Sequence, residues 1–355
     1  MNKLATRVVC FFLLLVSFAG QGQIVKDSIR SRYFRQRDFA KYFVSDIYAP
    51  TPQIQGGMGW SQNEYNIATS RHAEYLPYNQ TDFGAEMPIF TKVKYSDNKL
   101  VSKFSISIPI AARIWFDFTE PSTSPILNTD FQYAPLEFNY LKTTHRKLIH
   151  NIAIKLCPFF HESSHLGDEI TLYRRMDTLP VTWVNVSHET SEIALTLNDA
   201  NGKLTNNTAW KFGIKLLLNP RHGWYSVRNE SGDSSVNIAT KRLLETYVQV
   251  QNQANMGWLA NDKFIRVMSV EVRERVQYGY PTYPSPAETD WKAFADKERI
   301  NLCMNAYLGW KFNFSNNLIP RFGAYLKGYY GINPYGQFRN LNGYRYLGIS
   351  LVYEN

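Results

Sequence analysis

Between Arg299 and Phe314 the side chains change character at every second position. Ile300, Leu302, Met304, Ala306, Leu308, Trp310, Phe312 and Phe314 are apolar, while Arg299, Asn301, Cys303, Asn305, Tyr307, Gly309, Lys311 and Asn313 are mostly polar or small. Such a period belongs to an extended strand, whose successive side chains point to opposite faces. Phe104, Ile106, Ile108, Ile110, Ala112, Ile114 and Phe116 repeat the pattern, as do Trp210, Phe212, Ile214 and Leu216, then Met268, Val270 and Val272, then Leu347, Ile349, Leu351 and Tyr353. A soluble sandwich also alternates. These segments run to about ten residues or more, the length of a tilted bilayer crossing, and their polar faces carry the charges and small residues of a wet lumen. Aromatic residues make up 15% of the chain, with 23 Tyr and 22 Phe, as expected where barrel walls meet lipid boundaries. The expected fold class is all-β, an antiparallel transmembrane β-barrel of about 12 strands. Candidate strands begin near Ala85, Phe104, Asp130, Leu148, Glu169, Trp183, Trp210, Leu244, Ile265, Ile300, Leu318 and Tyr344. Strand parity and orientation stay open at this point.

The first residues read differently. Lys3 and Arg7 precede an apolar run from Val8 to Phe18, followed by Ala19, Gly20 and Gly22. This is the three-part pattern of a secretory signal peptide, and the run is too short for a spanning helix. The expected division is residues 1–22 as a cleaved signal peptide, 23–52 as a basic periplasmic lead-in, and 53–355 as the barrel. The expected location is the bacterial outer membrane. Net charge is +9; export argues against nucleic acid as the partner of that charge. Outer-membrane lipid and small anionic solutes are the partners expected instead. No phosphate loop, dinucleotide fingerprint or paired-cysteine site is present, so no cofactor and no metal are expected. Cys157 and Cys303 follow the leader; export permits a disulfide, and two inert thiols are the simpler reading.

If the apolar faces meet lipid, the opposite faces line the lumen. They bring inward Arg113, Lys211, Lys215, Arg273, Arg321 and Lys327, together with Lys92, Lys94, Lys155, Arg275 and Lys311. Fewer acids join them: Glu86, Asp117, Glu245 and Glu271. An electropositive interior of this kind favours anions if it is open, and pairs with itself if it is closed.

The segment from Phe159 to Glu169 holds the densest chemistry: His161, Glu162, Ser163, Ser164, His165, Asp168 and Glu169. His161-Glu162-Ser163-Ser164-His165 matches a zinc-protease motif literally. That motif requires a helix, and the residues before it alternate as a strand, so a chance match is the better account. Ile152, Ile154, Leu156 and Phe160 mark the outward face, which sends His161 and Ser163 inward unless a bulge near Pro158 flips the register. The expectation is therefore an inward polar cluster of His161, Ser163, His165, Asp168, Glu169 and Arg175 that pins strand register.

Two resemblances attach to these residues. Asp46 to Pro50, Ile126 to Phe131, Phe160 to Glu169 and Pro334 to Phe338 resemble an uncharacterised bacterial outer-membrane β-barrel family, a domain of unknown function. Its most specific core is the SSHLGDE motif, here Ser163 to Glu169. The likeness implies a barrel and assigns no activity. More locally, His161-Glu162-Ser163-Ser164 is similar to the His-x-Ser-Asn motif of outer-membrane phospholipase A. That similarity implies Ser163 as nucleophile and His161 as base on a lipid-facing wall. Ser164 stands in place of the Asn, and Ile170 falls where the residue orienting the His is expected. The function expected first is an outer-membrane barrel of structural, pore or binding role; the alternative is a lipid-acting hydrolase using His161 and Ser163.

Overall fold

The computed structural model describes residues 28–33, 43–60, 76–97, 99–117, 126–144, 146–167, 184–199, 206–228, 235–237, 239–255, 264–278, 298–312, 321–339 and 343–354. Twelve wall positions close into an antiparallel barrel. In chain order they are β1 (Gln53–Trp60), β2 (Leu76–Ser96), β3 (Lys99–Asp117), β4 (Ile126–Tyr133 continued by Glu137–Thr143), β5 (Asn151–Leu166) and β6 (Ser187–Leu197). β7 (Asn207–Leu217), β8 (Leu244–Asn255), β9 (Phe264–Gln277), β10 (Arg299–Phe312), β11 (Arg321–Gly331) and β12 (Tyr344–Glu354) complete the wall. Each strand pairs with its neighbour in sequence, and β12 pairs with β1, from Arg345 opposite Trp60 to Val352 opposite Gln53. Closure leaves no sheet edge among these strands, which a wall in hydrocarbon requires.

The polarity of the barrel is inverted. Ile54, Phe83, Ile193, Leu302, Leu326, Ile349 and Leu351 stand exposed on the outside, Ile349 at 63% and Leu302 at 62%. Lys215, Arg273, Arg275, Glu245, Glu271, Gln249 and Ser269 are at most 1% exposed inside. Water solvates the second set far better than the first, so this arrangement is stable only where the outer surface meets an apolar phase.

The expected count of twelve holds, although the membership differs. Gln53–Trp60 closes the barrel and was not among the expected strands; Gly56, Gly57 and Gly59 blur its alternation. The strand expected from Glu169 falls in residues outside the description. β4 is broken at residues 134–136, where the Ala134 N–H donates to the Pro109 carbonyl at 3.1 Å.

Strand direction sorts the connections by end. β2–β3, β4–β5, β6–β7, β8–β9 and β10–β11 join at one end, through residues 97–98, 144–150, 198–206, 256–263 and 313–320. At the other end the connections are 61–75, 118–125, 167–186, 218–243, 278–298 and 332–343, most of them longer.

Residues 43–52, part of the stretch expected as a lead-in, enter the barrel. Phe43, Ser45, Asp46, Tyr48 and Ala49 are buried. The Val44 N–H donates to Gln251 Oε1 at 2.9 Å, Asn305 Nδ2 donates to the Ser45 carbonyl at 2.8 Å, and the Ser45 and Ser269 hydroxyls meet at 2.8 Å. Lys211 Nζ lies 3.2 Å from Asp46 Oδ2. Pro50 sits against β2 at Gly84, where an added Cβ would come within 2.4 Å of the Pro50 carbonyl carbon. Earlier in the chain, Ser28–Tyr33 pairs with the far end of β2, Ser28 opposite Tyr95.

Candidate functional site

The interior is a mesh of paired charges around this inserted segment. Arg273 donates from Nε to Glu271 Oε1 at 3.0 Å and lies 3.9 Å from Asp46 Oδ1. Lys155 lies 2.8 Å from Glu192, which also accepts from the Tyr247 hydroxyl. Lys327 donates to Gln55, and Arg113 to Gln132 at 3.4 Å. Lys215 Nζ sits 3.3 Å above the Tyr48 ring, and the Arg273 guanidinium lies 4.6 Å from that ring's centre. Of the expected lumen charges, Arg113, Lys211, Lys215, Glu271, Arg273 and Lys327 are all buried inside. Lys92 is exposed. The side chains of Arg321 and Asp117 lie outside the description, as do Asp168, Glu169 and Arg175.

The four segments that carry the family resemblance converge here. Tyr48 meets Phe160 edge-on with ring centres 6.2 Å apart. The Ser164 hydroxyl donates to Asn128 Oδ1 at 2.9 Å and to Asp130. The Gly336 N–H donates to Asp130 Oδ1 at 3.1 Å, and the Gln337 N–H to Asn128 Oδ1 at 3.3 Å. Tyr335 stacks on Trp115 at 4.5 Å and donates through its hydroxyl to Gln80. Residues 332–339 are thereby folded down into the barrel mouth.

His161, Ser163 and His165 share one face, as expected, but that face is the outer one. This corrects the inward cluster. β6 pairs Glu192 with Cys157 and Thr190 with Phe160, two steps on β6 against three on β5. The extra residue is a bulge at Pro158, which has no N–H to give the ladder. Beyond it the parity of β5 reverses: Phe160, Glu162 and Ser164 are buried, His161 and Ser163 are partly exposed, and His165 is exposed against the Phe131 ring at 5.6 Å. His161 and His165 lie on a strand, so the helical geometry of a zinc protease is absent. No group of metal ligands occurs among the described residues.

The outward His161 meets a carboxylate. Its Nδ1 lies 3.3 Å from Glu189 Oε1 on β6, with the two side chains 33% and 31% exposed. Ser163 follows two positions along, opposite Ser187. Ile170 lies outside the described residues, whereas Glu189 comes from the adjacent wall strand, which starts only at Ser187 after the connection 167–186. Only the pairing of β5 with β6 reveals it. Phe131, Tyr133, Phe159 and Ile193 stand exposed around the trio, with the polar Ser187 opposite Ser163 and the exposed His165 beyond it. Cys157 and Cys303 are both free and buried in separate clusters.

The fold and the placement of its charges define a membrane-type β-barrel with a filled interior and a polar trio on its apolar wall. Solved structures that resemble it are barrels. Outer membrane phospholipase A from Escherichia coli is 10% identical with a TM-score of 0.41, covering 86% of this chain and 93% of its own. The translocator domain of autotransporter NalP from Neisseria meningitidis is 9% identical with a TM-score of 0.38, over 86% and 87%. LpxR from Salmonella typhimurium is 11% identical with a TM-score of 0.33, over 85% and 100%. The likeness concerns barrel architecture and nothing finer. No family model matches the sequence, and no curated protein matches it.

Proposed function

We propose that this chain is a bacterial outer-membrane barrel that hydrolyses acyl esters of membrane lipid at its outer wall. The observation that carries this reading is the contact of His161 with Glu189 on the apolar outer face, with Ser163 two residues along that face. Glu189 holds the Nδ1–H side of the imidazole and leaves Nε2 for the serine. Ser163 Oγ attacks the ester carbonyl carbon while His161 takes its proton. The alcohol portion leaves with that proton, and water then releases the fatty acid from Ser163 by the same route. A lipid ester reaches this site laterally from the bilayer, past Phe131 and Tyr133. Long connections of outer-membrane barrels face the cell exterior, which sets His161 and Ser163 toward the outer leaflet, because β5 runs from 144–150 toward 167–186. Residues 1–22 serve as the export signal.

The filled interior speaks for an acting surface outside the barrel and against a pore. The test is fatty-acid release by the purified full chain in phospholipid–detergent micelles. The wild-type chain releases fatty acid and Ser163→Ala does not. Equal release by the two, or none by either, ends the hydrolase reading.

A further inference from the structure

Arg275 on β9 is 0% exposed; its Nη1 donates to the Asn333 carbonyl at 2.9 Å, and the Tyr329 hydroxyl also interacts with its guanidinium. Nε and Nη2 have no hydrogen-bond partner among the described residues. Those two atoms form the edge that grips two oxygens of a single carboxylate or phosphate. Three further groups nearby hold unfilled donors. Lys215 Nζ, Arg339 Nε and Nη1, and His188 Nδ1 are all buried without partners among the described residues. Lys215, Arg275, Arg339 and His188 all stand close enough to Glu162 to act on its charge. Arg339 is taken up by Glu245. Glu192 and Glu245 also act on Lys215, and Glu245 on Arg275, yet none of these carboxylates fills the Nε–Nη2 edge of Arg275.

Buried donors rarely stay empty, and an unpaired guanidinium edge out of water is among the most costly to leave so. Glu162 does not fill it: His188 Nε2 is 3.9 Å from Glu162 Oε2, and that oxygen also lacks a hydrogen-bond partner. The cluster lies between the inserted Tyr48, over which Lys215 sits, and the cap formed by Arg339 over the Trp224 ring at 5.2 Å. It is thus at the end of the long connections, opposite the end where β2 and β3 turn.

We propose that this cluster of unfilled donors binds one small oxyanion, held bidentately by the Nε–Nη2 edge of Arg275 with Lys215 and Arg339 completing its shell. The site is inside the barrel and does not rest on the hydrolase reading; the chain carrying Ser163→Ala binds the anion as the wild type does.

The test is the urea midpoint of the purified full chain in detergent, read by tryptophan fluorescence, in sodium phosphate, acetate and chloride at equal ionic strength. An occupant of the folded state raises the midpoint in proportion to the logarithm of its concentration. Phosphate or acetate, whichever carries the right oxygens, is expected to raise it and chloride is not. Arg275→Gln is expected to weaken the response roughly tenfold or more in concentration, as loss of a bidentate charged pair does. Lys215→Met weakens it less, and is read alone if Arg275→Gln does not fold. Three salts with the same midpoint overturn the site. So does an unchanged response in Arg275→Gln, or in Lys215→Met where that variant is read alone.

Discussion

Removing the Asp46 carboxylate should open the barrel. In the folded chain Asp46 accepts from Lys211 at 3.2 Å, lies 3.9 Å from Arg273 and caps the Tyr48 N–H at 3.0 Å. Burial opposes its charge, but Lys211, Lys155 and Arg273 outweigh burial and hold its carboxyl well below the usual carboxylate range. Asp46→Ala removes the carboxylate that lies 3.2 Å from Lys211 and is the more distant of two beside Arg273, which keeps Glu271, and breaking a buried ion pair from one side costs about 3–5 kcal/mol. At about 1.4 kcal/mol per factor of ten, the share of barrels with residues 43–52 displaced rises by roughly a hundredfold or more. Single-channel recording in a planar bilayer reads this directly. The wild-type barrel is expected to be silent and Asp46→Ala to pass current in bursts. Because the folded pKa is depressed, this stabilisation is present above the unfolded value of about 4 and is lost only as pH falls below it. The wild type therefore stays silent from neutral pH down to about 4. Steady current through the wild type at neutral pH, or silence in Asp46→Ala, refutes the reasoning.

Other outcomes follow from the same geometry. Glu189→Gln should lower fatty-acid release by about 10²–10⁴ with little change in KM, since it disturbs only the orientation and charge of His161; an unchanged kcat contradicts its role. Gly84→Leu should displace Pro50 and sensitise cells to large antibiotics, measured as a lower inhibitory concentration. Ser164→Ala should leave buried Asn128 and Asp130 short of a donor, at about 1–3 kcal/mol, and expose connection 332–343 to proteolysis. Ile349→Lys, on the outer belt, should cost about 2–4 kcal/mol in lipid if the residue lies near the bilayer midplane; a neutral effect contradicts the membrane-facing wall.

The wall was legible because its code is local. In β10 each side chain reports its own face, and the structure agrees from Ile300 to Phe312. β1 was missed because three glycines carry no such signal. The inward direction of Lys211, Lys215 and Arg273 followed from the same parity. The direction of His161 and Ser163 did not, because parity holds only along an unbroken ladder and Pro158 interrupts it. Glu189, Asp46 and Arg339 were out of reach for another reason. Each acquires its partner from a segment distant in the chain, by strand register for Glu189 and by loops folded into the lumen for the other two. Alternation says nothing about which chain segment fills a barrel.

The turn of β5 at Pro158 is tested most directly by a nitroxide at Ser163→Cys, in a chain with Cys157 and Cys303 replaced by serine and reconstituted in phospholipid bilayers. Power-saturation measurements compare its collisions with lipid-soluble oxygen and with a water-soluble nickel complex. The label should meet oxygen far more often than nickel. Preferential contact with nickel would place Ser163 in the lumen and contradict the account.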